Sequence, residues 1–134
     1  MQTPLDTIRK DLTAMLAMLD LATEHLQALT QRVTDLEQAG IVDASPTYKD
    51  GKYLYLVSPM IDGQRRREYV GSDPDKIAVA LGRIQNFKDH AEAIAALHAY
   101  ESHLASAREH LRMAKIALNP SHLAGTTLVD VWPE

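Results

Sequence analysis

Five cations and three tyrosines crowd one stretch of the chain: Lys49, Lys52, Arg65, Arg66 and Arg67 with Tyr53, Tyr55 and Tyr69. Guanidinium groups hold phosphate oxygens through paired hydrogen bonds, and lysine adds a compact charge. A tyrosine ring stacks on a base or donates its hydroxyl. Together these types point to a phosphate-bearing ligand, either nucleic acid (DNA or RNA) or a nucleotide. Residues 49–71 hold five Lys/Arg against three Asp/Glu, whereas residues 1–40 hold three against six and residues 72–134 six against eight. On a chain of net charge −4, a net-positive middle draws anions to one place. The same residues also suit a plainer role, because a sheet packed on helices must solvate its other face, and Lys and Arg guard exposed strand edges.

Other chemistry finds less support. The six histidines are His25, His90, His98, His103, His110 and His122. A helical metal site needs ligands three or four apart, and the nearest approach is His98 with Glu101; His103 and His110 are seven apart, and no His-Glu-x-x-His run occurs. Ser45, Ser58 and Ser72 sit beside Pro or Asp in turn-like settings, outside any Gly-x-Ser-x-Gly elbow, and no Walker loop or dinucleotide fingerprint is present. With no Cys, thiolate sites and disulfides are excluded. The expectation is a non-enzymatic protein with no metal and no cofactor.

The elements that must position the basic stretch are legible from period. Leu5, Ile8, Leu12, Met15, Leu19, Ala22, Leu26, Leu29, Val33 and Leu36 recur at alternating steps of three and four, uninterrupted by Pro or Gly, which predicts one amphipathic helix over residues 3–39. Thr3, Pro4 and Asp6 suit its start, and Gly40 its end. Leucine fills four of five a positions, whereas a parallel two-stranded coil prefers β-branched residues there, so a parallel dimer is disfavoured. Leu16, Met18 and Leu21 widen the stripe beyond what one neighbouring helix covers, which predicts self-association.

Residues 41–46 read as a connector, and over residues 47–71 the period falls to two. Tyr53, Tyr55 and Val57 alternate with Leu54, Leu56 and Ser58, bracketed by Asp50-Gly51 and Asp62-Gly63, which favour tight hairpin turns. A two-residue turn at Asp62-Gly63 sets Ile61 opposite Gln64, and continuing that register sets Leu56 opposite Tyr69 and Ser58 opposite Arg67. Pro59 interferes with that regular pairing and points to an edge, a bulge or a longer loop. By alternation Arg65 and Arg67 share a face and Arg66 opposes them. Ser72 or Asp73 caps a second helix over residues 74–118, which Asn119-Pro120 ends. Residues 119–134 form a tail with one strand-like piece, Thr127 to Trp132, that would need a partner.

The segment from Tyr48 through Gly51-Lys52-Tyr53-Leu54-Tyr55 to Arg65-Arg66-Arg67-Glu68-Tyr69-Val70-Gly71 resembles the hairpin of small uncharacterised proteins encoded by phages, plasmids and transposons. In those a Gly-Lys-Tyr-x-Tyr strand precedes an Arg-rich strand ending in Tyr-x-Gly. It is also similar to the three-stranded arm-binding domains of phage-type integrases, which present strands to DNA. The resemblance implies a mobile-element origin and DNA binding through the hairpin, without recombination chemistry; it covers about 30 of the 134 residues and leaves the flanking helices outside the integrase pattern.

Aromatics are 5% of the chain, so the core must be built of Leu, Ile, Ala and Met, a helical composition. The predicted fold is mainly α with a small β insert. Two long antiparallel coiled-coil-like helices flank an antiparallel two- to three-stranded β-meander in one domain, residues 1–134. No apolar run approaches the ~18 residues that a membrane span needs, and residues 1–10 lack an apolar signal run, so a cytoplasmic protein without membrane contact is expected. Beyond nucleic acid or nucleotide, the predicted partners are a second copy of the chain and, on an alternative reading, a host protein complex blocked by a helical interaction module.

Overall fold

The computed structural model describes residues 2–121. Its elements are α1 (Pro4–Ala39), β1 (Ser45–Lys49), β2 (Tyr53–Val57), β3 (Arg67–Gly71) and α2 (Pro74–Leu118), so two long helices bracket a three-stranded antiparallel sheet of order β1-β2-β3. The predicted strand-like piece from Thr127 to Trp132 lies outside the described residues.

Both helix starts follow from their caps. Thr3 Oγ1 accepts a hydrogen bond from the Asp6 N–H (3.2 Å), while the Asp6 carboxylate accepts from the Thr3 N–H (3.1 Å), satisfying two donors that the first turn leaves free. Asp73 caps α2 with a single bond, its carboxylate accepting from the Asp75 N–H at 3.0 Å with Pro74 at the first helical position. α1 stops at Gly40, whose N–H reaches the carbonyls of Leu36 and Glu37. Its φ of 100° belongs to glycine, and a Cβ there would come within 3.3 Å of the Arg83 side chain.

The chain divides inside α2 into two compact units, the first ending at Leu97. Within the first, the end of α1 and the start of α2 run antiparallel. Arg32 meets Asp89 (3.8 Å), Glu37 bonds His90 (2.9 Å), the Gly40 carbonyl accepts from Asn86 (3.0 Å), and the Val42 N–H donates to the Arg83 carbonyl (3.1 Å). The sheet packs on the same stretch of α2. Leu54 and Leu56 of β2 are buried with Ala80 and Ile84, and Val42, Ala44, Val70 and Ile77 close around them. Ile77, Ala80 and Ile84 share one helix face, which is why a strand of period two and a helix of period 3.6 can meet along a line.

In the second unit Leu104, Leu111 and Leu118, spaced seven apart along α2, are half-buried. Glu109 accepts two short hydrogen bonds from Arg112 (2.7 and 3.1 Å), and these, with the guanidinium charge, hold its carboxyl below its ordinary value and raise Arg112. A depressed carboxylate is stabilised above its unfolded-state pKa, and the benefit vanishes as pH falls through the folded-state value. In a carbon-13 NMR titration Glu109 should therefore ionise below a free glutamate, and Arg112→Ala should move its midpoint upward; an unmoved midpoint would rule this pairing out in solution.

One boundary and one register differ from the sequence expectation. The sheet begins at Ser45, so Ser45 and Pro46 belong to a strand and not to the connector; Pro46 is tolerated because β1 is an edge strand, paired only with β2. The hairpin register also shifts. Ile61 does pair with Gln64, but Leu56 lies opposite Glu68 and Val57 opposite Arg67, one residue from the predicted partners. The cause is a bulge. Two residues, Pro59 and Met60, separate Ser58 from Ile61 on one side, while Arg65 alone separates Gln64 from Arg66 on the other, and the Ser58 N–H bonds the Arg66 carbonyl at 2.9 Å.

Candidate functional site

A one-residue slip in a hairpin moves every side chain of a strand to the other face. The Pro59-Met60 bulge therefore decides what the site contains. In the observed register Tyr69 pairs across from Tyr55 and Arg67 across from Val57, and on the other side of β2 Lys49 pairs with Tyr53 and Thr47 with Tyr55. Since Leu54 and Leu56 point at α2, their neighbours Tyr53, Tyr55 and Val57 point away from it, and their partners share that outer face. Five of the eight predicted residues, Lys49, Tyr53, Tyr55, Arg67 and Tyr69, are thus gathered on one surface.

The aromatic rings define its centre. Tyr55 and Tyr69 lie with centroids 5.0 Å apart and planes tilted by 52°, a favourable aromatic geometry. Lys52, in the turn after Asp50-Gly51, holds its ammonium 5.0 Å from the centroid of Tyr53, so the sixth predicted residue borders the same surface. A depression of about 260 Å³ opens here, lined by Lys49, Asp50, Tyr53, Tyr55 and Tyr69. The turns that frame it are sharp: Asp50 and Gly51 have φ of 54° and 70°, and Asp62 and Gly63 have 52° and 76°, the paired positive values of tight hairpin turns.

The remaining two arginines are placed differently. Arg66 N–H donates to Ser58 Oγ at 2.9 Å, and alternation turns its side chain with Glu68 to the opposite side of the sheet. There a groove of about 570 Å³ runs along Val42, Leu56, Arg66 and Glu68. Arg65 precedes β3 in the irregular residues 65–66, outside the paired strand.

Two features of this region were not read from the sequence. Thr47 completes the outer face opposite Tyr55, and nothing in its type distinguishes it from any strand residue. The groove beside β3 continues against α2 past Val70, Val79 and Arg83, in a cavity of about 470 Å³. Its lining mixes Glu68 and Asp75 with Lys76 and Arg83, so it carries no field of one sign. Among the described residues no group of three or more His, Asp or Glu side chains is placed to hold a metal ion, and no helix is long and apolar enough to cross a membrane. No protein-family model, curated protein or solved structure matches the chain.

Proposed function

We propose that this chain is a non-enzymatic binding protein whose outer sheet face takes single-stranded nucleic acid. Lys49, Lys52 and Arg67 would contact phosphates, and Tyr53, Tyr55 and Tyr69 would stack on bases. The observation that carries this reading is the Tyr55–Tyr69 pair, half-buried at Tyr55 and exposed at Tyr69, set between Lys49 and Arg67 on the face turned away from α2. Stacking platforms flanked by cations are how proteins hold single strands without reading sequence. A small depression on an open face fits successive bases better than one enclosed nucleotide, since ligand pockets usually hold roughly 300–1,000 Å³.

The test is binding of labelled single-stranded DNA, RNA, duplex DNA and a nucleotide panel at two salt concentrations, to wild type and to a triple Arg65→Ala, Arg66→Ala, Arg67→Ala variant. Single strands should bind, with affinity falling as salt rises by a slope of about −0.7 per phosphate contacted. The triple variant should bind more weakly and with a shallower slope. If no nucleic acid binds, or the variant binds equally well, the cations merely solvate the sheet and the helical protein-interaction reading takes over.

A further inference from the structure

α1 carries more apolar side chain than the described residues cover. None of its described residues is buried. Ile8, Met15, Ala22 and Leu26 are half-buried, yet Leu5, Leu12, Leu16 and Leu19 expose 60%, 44%, 64% and 49% of their surface. At about 3.6 residues per turn these four leucines fall on one strip, beside the half-buried one, over about 21 Å of helix. Scattered exposed leucines are ordinary on a protein surface; a continuous strip of them marks a contact.

We propose that this strip binds a second copy of the chain, the two α1 helices lying antiparallel about a two-fold axis near Met15 and Leu16. That arrangement sets Leu12 of one protomer against the partner's Leu19, Leu5 against the partner's Leu26, and Leu16 close to its own equivalent. Charge selects the direction. A two-fold axis perpendicular to both helices brings the same edge of each together, and Asp6, Arg9, Asp20 and Glu24 lie along one edge of the strip, with Arg9 its one cation. Arg9 then falls between the partner's Asp20 and Glu24, and symmetry repeats the contact. Within its own chain Arg9 has a loose ion pair with Asp6 at 3.8 Å and stays 77% exposed, so it is available. A parallel pair would lay that charged edge against the apolar side bearing Met15 and Ala22, and leucine at the a positions disfavours it as well.

The absence of cysteine makes the orientation directly testable. The full-length protein should sediment as a dimer at micromolar concentration, and Leu16→Lys as a monomer with an unchanged helical circular dichroism spectrum. Arg9→Glu should shift the protein toward monomer, and adding Asp20→Lys and Glu24→Lys should restore the dimer. Under mild oxidation Leu16→Cys should cross-link efficiently. Leu5→Cys should not, because its equivalents stand about 31 Å apart along the axis at ~1.5 Å per residue. A monomeric wild type, a Leu16→Lys or Arg9→Glu variant that dimerises like wild type, or equal cross-linking at positions 5 and 16 would each overturn the proposal.

Discussion

Leu54→Ala is expected to lower the stability of the sheet and its helix contact by about 2–5 kcal/mol, the range for removing a buried leucine side chain. Leu54 is fully buried, and the cluster around it is small: Leu56, Ala80 and Ile84 are its other buried members. So small a core has few neighbours that could relax into the space, which places the expected loss toward the upper end. Domains of ordinary stability have about 5–15 kcal/mol in all, so this one change removes a large share. Urea denaturation followed by tyrosine fluorescence would show it, since Tyr48, Tyr53, Tyr55 and Tyr69 all lie on the strands of the sheet. Met60→Ala is the control: Met60 is 59% exposed at the bulge, and its loss should change stability by about 0.5 kcal/mol or less. A Leu54→Ala variant as stable as that control would mean that the sheet is held by something other than this cluster.

The second large effect is on binding and follows from the register. If single strands stack on the outer face, Tyr69→Ala should weaken their binding by about 1–3 kcal/mol, the usual loss per stacked base. That is roughly fivefold to more than a hundredfold in affinity, with the salt dependence nearly unchanged. Tyr69 is 58% exposed, so the fold should survive its removal. Arg67→Ala should instead reduce the salt slope by about 0.7, the share of one phosphate contact. Arg66→Ala should do neither, because the bulge turns that side chain to the other side of the sheet. Oligonucleotide titrations of the three variants over a range of salt separate a face from a mere cluster of charge. Equal losses for Arg66→Ala and Arg67→Ala would show that the cations act through their summed field and that the tyrosine platform is incidental.

How much of this was open to sequence reading divides along the range of the interactions. Both helices, the cap at Thr3, a cap at Ser72 or Asp73, the stop at Gly40 and both Asp-Gly turns are set by residues within about one turn of each other. Period and capping therefore locate them without knowledge of the fold. The assembly of Lys49, Tyr53, Tyr55, Arg67 and Tyr69 on one face was not legible. It depends on one extra residue at Pro59-Met60 and on a second shift beside Val70, where Tyr55 pairs with Tyr69 but Leu54 with Gly71. Side-chain direction in a strand reverses with every residue, so local pattern tolerates either register, and the choice falls to whichever buries Leu54, Leu56 and Val70 against Ile77 and Ala80. The α1 stripe divides in the same way. Its sequence determined that Leu5, Leu12 and Leu19 lie with Ile8 and Met15 on an apolar side of the helix. Tertiary packing alone decided that the first three remain exposed, because how much of a stripe is covered depends on the surface of its neighbour, which no periodicity within one helix contains.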